Sequence, residues 1–438
     1  SAVNLASPCS TWATAKRRYS LSMTWQIAIC IMLVTLLAWA LRPYYKMGHF
    51  RLRKGDLLRR GSVLIAGLLC LIPIAHPQIL GMFGVETDVW DQLGAYQTGG
   101  AAAEFLRNTE FMEVEKPDDT TPKRVNAIVN GTEDDPTPNV GVDHPNIVAI
   151  MNESWADFED FGNLTLTESP MNYINSVSNA IHGHAYTSVF GAGTSTSEFE
   201  FLTGNSMNFL PSGSIPYQQY INGDLKALPD YLKTLGYQTI ATHPYNAGGW
   251  ERDTVYPMLG FNESVFKDDY VNPQYVRQYI SDESCVDKII EFYENKEKDA
   301  PLFVFNVTMQ NHGGYQDQYG NFTPDISVKD STNFSLQQYL SLVKLSDSAL
   351  EHLISYFEEA DEKTVIVFFG DHQPSDAVAS TVLAKNGMSW NHLTEEQQKL
   401  RYQVPYVVWA NYDIGEETGA DMTDPADVTG FLRYMLEA

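Results

Sequence analysis

Uncharged apolar runs of two lengths divide this chain. The long ones, Trp25–Leu41 and Ser62–Val85, carry no charge beyond what His76 can take up, and each approaches the ~20 residues a helix needs to cross a bilayer. They predict two membrane spans, at about 24–41 and 62–85. The short runs fall at 146–151, 238–242, 302–308, 364–369 and 404–409, with a further strand-like run at 184–190. Helical patterns mark 224–235, 282–295 and 335–358. Near-continuous apolar strands separated by helices predict an α/β domain whose mostly parallel sheet is sandwiched by helices.

Between the long and short runs the pattern weakens. Residues 86–114 alternate apolar and polar groups with glycine interruptions, predicting one or two short helices near a membrane. Lys116 to Pro145 turns to Pro, Asp, Thr, Asn and Gly, the composition of a linker. The expected organisation is a membrane region at 1–85, juxtamembrane helices and an acidic linker at 86–144, and a catalytic domain at 145–438.

Charge gives these parts an orientation. Residues 1–60 hold ten Lys or Arg and one acid, Asp56, whereas the remainder holds 19 basic and 54 acidic residues. The loop from Arg42 to Arg60 carries seven of those cations, which places it in the cytoplasm and everything after about residue 86 outside. Lys16, Arg17 and Arg18 precede the first span on the outer side of that topology, and position 1 is Ser; a fragment lacking earlier spans is the expectation. Of four cysteines only Cys285 lies in the outer part. An exported domain without disulfides fits a bacterial surface better than a eukaryotic secretory product. The acidic outer part suits no nucleic-acid partner.

Ligands of open α/β sheets bind beyond the carboxyl ends of the strands, and the polar chemistry collects there. Asn152 and Glu153 follow the first short run, His243 the next, Asn311 and His312 the third, and Gly370, Asp371 and His372 the fourth. Glu153, Asp371 and His372 offer two carboxylates and an imidazole, a set suited to Mn²⁺, Zn²⁺ or Mg²⁺. Residues 191–198, Gly-Ala-Gly-Thr-Ser-Thr-Ser-Glu, form a small-residue turn into a helix beginning near Ser195. Thr194 at that helix N-terminus could be an ordinary cap, or a hydroxyl facing an anion and completing the metal set. Within Gly-Gly-Trp-Glu-Arg-Asp, Arg252 is shaped to hold a phosphodiester and Trp250 to stack on a glycerol or sugar. His312 could donate a proton to a leaving alkoxide, and His243 is grouped with these residues on the substrate side.

The ordered set Asn152-Glu153-Ser154, Gly193-Thr194-Ser195, Trp250-x-Arg252-Asp253, Asn311-His312 and Gly370-Asp371-His372 resembles the lipoteichoic acid synthase family. These are membrane-anchored, sulfatase-like phosphoglycerol transferases of the alkaline phosphatase superfamily. The resemblance runs from the spans to about residue 412. It implies a Thr194 nucleophile, one Mn²⁺-like ion on Glu153, Thr194, Asp371 and His372, and Trp250, Arg252 and His312 around a glycerol phosphate group. The implied reaction moves that group from phosphatidylglycerol, through a phospho-threonine, to a glycolipid or growing poly(glycerol phosphate) teichoic acid chain. The implied location is the bacterial cell membrane, multi-pass, with the catalytic domain extracellular. The chain departs from the family at Gly193, where Lys is frequent, at Thr196, where an acid is, and at Tyr245-Asn246, near the place of a substrate-contacting Asp. It also stops before an expected C-terminal helix.

Other functions fit less well. Sulfate ester hydrolysis needs Cys or Ser in a Cys/Ser-x-Pro-x-Arg stretch, and none surrounds Thr194. Phosphoethanolamine transferases share the threonine and metal logic but usually have disulfide-rich outer domains. A phosphodiesterase passing the group to water, and a non-enzymatic surface binding module, stay as alternatives.

Overall fold

The computed structural model describes residues 144–414, apart from 212, 299, 390 and 391, together with parts of 62–129. The expected span at 24–41 and the basic loop lie outside the described residues, as do ten of the 24 residues of the span at 62–85. Among the described residues no helix is long and apolar enough to cross a membrane. The chain divides into two compact units, Ser1–Gly84 and Val85–Ala438. In the first, Pro77–Phe83 forms a 3-10 helix that Gly84 ends at a φ of 79°. The second begins with short helices at Gln92–Gly99 and Ala101–Asn108. The expected linker is partly helical, at Pro122–Val129, where proline at the first position gives up only an N–H that has no partner within the helix.

Among the described residues nine strands follow: β1 Asn146–Asn152, β2 Ala180–Tyr186, β3 Gln238–His243, β4 Glu263–Phe266, β5 Tyr275–Val276, β6 Tyr279–Ile280, β7 Leu302–Val307, β8 Thr364–Gly370 and β9 Gln403–Ala410. Seven of them build one sheet in the order β2-β9-β8-β1-β7-β3-β4, while β5 and β6 pair apart from it. From β8 to β4 all neighbours are parallel, and β9 runs against both β8 and β2. The sheet is therefore mixed, with a parallel centre.

The period of two in β1 sorts its side chains between two cores. Val148 and Ile150 join one cluster with Val304 of β7 and Ile366 of β8. Helices α4 (Asp282–Asn295), α5 (Phe334–Glu358) and α6 (Asp376–Lys385) cover that face, contributing Ile289, Leu350 and Val382. Ile147, Ala149 and Met151 join the other cluster, beneath α1 (Thr194–Thr203), α2 (Leu228–Thr234) and α3 (Arg252–Met258). Burial on both faces explains why the central strands read as unbroken apolar runs; each buried Val, Leu or Phe contributes about 2 kcal/mol.

The short apolar runs and the patterns at 282–295 and 335–358 match elements to within two residues. The run at 184–190 does not: the strand is Ala180–Tyr186, and the chain leaves the sheet at Thr187, whose hydroxyl donates to the carbonyls of Val189 at 2.9 Å and Tyr402 at 3.2 Å. The bond to Val189, two residues on, is local and competes with a ladder. The four-residue edge strand β4 opens on Glu263-Ser264, too short and polar to show as an apolar run.

Gly370, the last residue of β8, lies against Trp155: a Cβ there would sit 2.0 Å from the Trp155 carbonyl oxygen and 3.1 Å from Val404 Cβ. Backbone cannot yield as a flexible side chain does. Gly370→Ala is expected to cost about 3 kcal/mol, read as a lower urea midpoint and melting temperature, and an unchanged midpoint would show that the strand end has slack.

Candidate active site

Strand register sets the centre of the site. β1 pairs with β8 so that Asn152 stands opposite Gly370, and Glu153 and Asp371 emerge as the next residues. Ser154 turns the chain away at a φ of 53°, an uncommon value outside glycine. That turn aims the Ser154 N–H at Asp371 Oδ1 (2.6 Å), which also accepts the His372 N–H at 2.7 Å. The Ser154 hydroxyl donates to Glu153 Oε1 at 2.7 Å, and Thr308 Oγ1, beyond β7, accepts the Glu153 N–H at 3.0 Å. Below them Asn152 donates to Asp282 Oδ2 at 2.8 Å and accepts from Asn311 at 3.0 Å, while Ser346 of α5 donates to the same Asp282 oxygen. This buried network ties β1 and the loop after β7 to α4 and α5.

Ligand atoms of Glu153, Asp371 and His372 lie within 4.8 Å of one another, and all three residues are buried. His372 Nδ1 is 2.9 Å from the Gln373 carbonyl oxygen. A carbonyl only accepts, so Nδ1 carries a proton, and in the neutral ring Nε2 is the nitrogen with the lone pair. That lone pair is 3.2 Å from Asp371 Oδ2, a buried oxygen with no hydrogen-bond partner. Burial first, and the Glu153 charge in addition, push the Asp371 carboxyl up to about 7 against the opposing pull of His372. At this distance a proton or a metal cation shared between the two atoms would satisfy both. Donors sharing one ion at ~2.1 Å stand about 3.0–3.4 Å apart, so the set fits a divalent metal.

Thr194 joins this group. It is the first residue of α1, after Gly193 at a φ of 107°, where a Cβ would press on Val189 at 3.0 Å. Its hydroxyl is 3.5 Å from Glu153 Oε2 and 3.5 Å from His372 Nε2. One turn on, Ser197 donates to the Asp371 carbonyl at 2.6 Å, and the Gly191 N–H donates to the Gln373 carbonyl at 2.7 Å. The four expected metal residues are thus together.

Substrate-side candidates adjoin this centre along other elements. Arg252 is not in a surface pair but 2% exposed, its Nε and Nη2 on the Glu198 carboxylate at 2.5–3.2 Å. Tyr256 also donates to Glu198, at 2.7 Å. Glu198 sits four residues beyond Thr194, so one helix links the metal group to the arginine. Trp250 and Glu251 hold left-handed backbone, at φ 58° and 61°, in the turn before α3, strain of a kind that collects at functional sites. His243 is buried, with Nδ1 2.9 Å from the Val307 carbonyl; burial, and then the Arg252 charge, hold it neutral well below the usual histidine range. His312 is exposed, its Nδ1 3.1 Å from the Tyr279 hydroxyl.

Three residues escape the sequence reading. Glu198 closes the octapeptide but reads as a helix-face acid, Asp282 as an N-terminal acid of α4, and nothing distinguishes Arg277 between Val276 and Gln278. Their burial is a tertiary fact without a sequence signal.

Comparison with known proteins bears on the fold and the family. The sulfatase family model matches residues 145–432. A Rhizobium meliloti (strain 1021) protein, provisionally described as a cyclic beta-1,2-glucan modification protein, is 32% identical over 358 residues, 80% of this chain and 53% of its own. The lipoteichoic acid synthase-like YvgJ of Bacillus subtilis (strain 168) is 24% identical over 252 residues, 55% of this chain and 39% of that one. The chain spans about half the length of these curated relatives, or less. Among solved structures, Streptococcus pyogenes phosphoglycerol transferase GacH in complex with sn-glycerol-1-phosphate superposes with a TM-score of 0.54 at 21% identity, covering 68% of this chain and 78% of that one. The matched segment holds the seven-stranded sheet and every candidate site residue, and the chain belongs to the sulfatase family.

Proposed function

We propose that the chain is a membrane-anchored, metal-dependent phosphoglycerol transferase, acting outside the bacterial cell membrane on phosphatidylglycerol. The observation that carries the reading is the Thr194 hydroxyl, 3.5 Å from both Glu153 and His372 at a helix N-terminus. Thr194, Glu153, Asp371 and His372 would hold one divalent ion, Mn²⁺ in our reading, which lowers the hydroxyl pKa and offsets charge in the transition state. Thr194 Oγ, having lost its proton to solvent as its pKa falls, bonds to phosphorus as the bond to the diacylglycerol oxygen breaks, and a protonated His312 gives that oxygen a proton. In the second half an acceptor hydroxyl yields its proton to His312 and displaces the threonine. Arg252, Trp250 and His243 line the glycerol phosphate in this scheme, with Glu198 fixing the guanidinium.

The acceptor is a carbohydrate or polyol hydroxyl. A glycolipid or poly(glycerol phosphate) chain follows from the resemblance to lipoteichoic acid synthases, and a glucan from the Rhizobium meliloti relative. The proposed membrane spans at 24–41 and 62–85 keep the domain beside its lipid donor.

Labelled phosphatidylglycerol incubated with the purified protein and Mn²⁺ is expected to release diacylglycerol, and chelation to stop the release. Thr194→Ala is expected to lower it by at least about a thousandfold; unchanged release would end the mechanism. Arg252→Ala strands the Glu198 carboxylate and is expected to cost about 3–5 kcal/mol of stability as well as turnover. Full turnover in a folded variant would remove Arg252 from the substrate site.

A further inference from the structure

Three described arginines are buried: Arg252, Arg277 and Arg401. Arg252 is paired with Glu198 and Arg401 with Asp376. Arg277 differs, because among the described residues no carboxylate lies within ion-pair distance of it. Its Nη2 donates to the carbonyls of Gln310 at 2.7 Å and His312 at 2.6 Å, while Nε and Nη1 are buried without a hydrogen-bond partner. The rings of Tyr279, Tyr315 and Tyr319 surround it at 5.4–5.7 Å, a cation–π environment that tolerates charge without cancelling it.

Its backbone is as unusual as its side chain. Arg277 and Gln278 connect β5 to β6, whose register pairs Val276 with Tyr279. Arg277 takes a φ of 57°, a turn conformation ordinarily given to Gly, Asn or Asp. Asn321 holds the turn through the carbonyls of Tyr275 and Arg277, each at 3.0 Å. A strained arginine thus reaches the segment bearing His312, near enough to feel the charge of Glu153.

A buried cation is strongly unfavourable unless something answers its charge, and within an acidic domain an anion-binding site needs a positive focus. Arg252 cannot provide it alone, because Glu198 already neutralises that guanidinium. We propose that Arg277 is the specificity-determining cation of the substrate site: it fixes the His312 segment and, lacking a carboxylate, favours phosphate esters with a neutral polyol head over those with an ammonium. The proposal rests on the phosphoglycerol reading and names the charge class of its donor. An ammonium brought to this site would face an unneutralised cation, whereas a glycerol would not.

The test titrates the full chain, in Mn²⁺ buffer, with two soluble probes, sn-glycerol 1-phosphate and phosphoethanolamine. The wild type is expected to prefer the first. Arg277→Gln is expected to weaken glycerol phosphate binding about tenfold and phosphoethanolamine binding far less, so the preference collapses. Arg277→Lys keeps the charge and is expected to keep the preference while kcat on phosphatidylglycerol falls, since one ammonium holds the two carbonyls less firmly than the guanidinium fork. Equal weakening of both probes in a folded Arg277→Gln, or absence of preference in the wild type, overturns the proposal. If the glutamine variant does not fold, loss of preference in the lysine variant overturns it instead. A wild type that binds with the expected preference yet cleaves no phosphatidylglycerol would refute the proposed reaction and leave Arg277's role standing.

Discussion

The site depends on one pairing: Asn152 of β1 opposite Gly370 of β8 in parallel register. Because side chains alternate along a strand, a slip of one residue would send Glu153 and Asp371 to opposite faces. The interior enforces the register from both sides, since Val148 and Ile150 belong to one core and Ile147, Ala149 and Met151 to the other. Gly370 is the place where enforcement becomes steric, against the Trp155 carbonyl. The Asn152-Asp282-Ser346 network then locks the strand end to the helices behind it.

Most of this frame was legible in the sequence because buried parallel strands have no polar face to hide them. The runs at 146–151 and 364–369 announce β1 and β8, and reading the residues after each strand finds Glu153, His243, His312, Asp371 and His372. Thr194 was legible for another reason: glycines on either side of a small-residue turn mark backbone that must bend tightly before a helix. What stayed hidden depends on partners distant in the chain. Glu198 is an ordinary helical acid until Arg252, Tyr217 and Tyr256 close on it, and Arg277 is an ordinary basic residue until three tyrosines surround it. The strand near 184–190 was displaced because Thr187 prefers a local bond, a competition that apolar patterning does not register.

The domain manages charge by depth. Its excess of acids is set on a chain of net charge −26, yet buried acids at the site each have an assigned neighbour: Asp282 has Asn152 and Ser346, Glu198 has Arg252, and Asp371 Oδ1 has two backbone N–H groups. Asp282 Oδ1, Asp371 Oδ2 and two nitrogens of Arg277 are buried without a hydrogen-bond partner, so acids and a cation alike keep unanswered atoms in the interior.

Helix α1 sets the scale between them. Thr194 and Glu198 lie four residues apart on one face, a rise of about 6 Å, and Glu198 in turn seats Arg252. The span from the Thr194 hydroxyl to the guanidinium is therefore gauged by backbone hydrogen bonds, not by a loop that could lengthen or shorten with sequence drift. Under the proposed reaction, the loops around this helix could change, and with them the acceptor, while the length of the transferred group would stay dictated by one turn of α-helix.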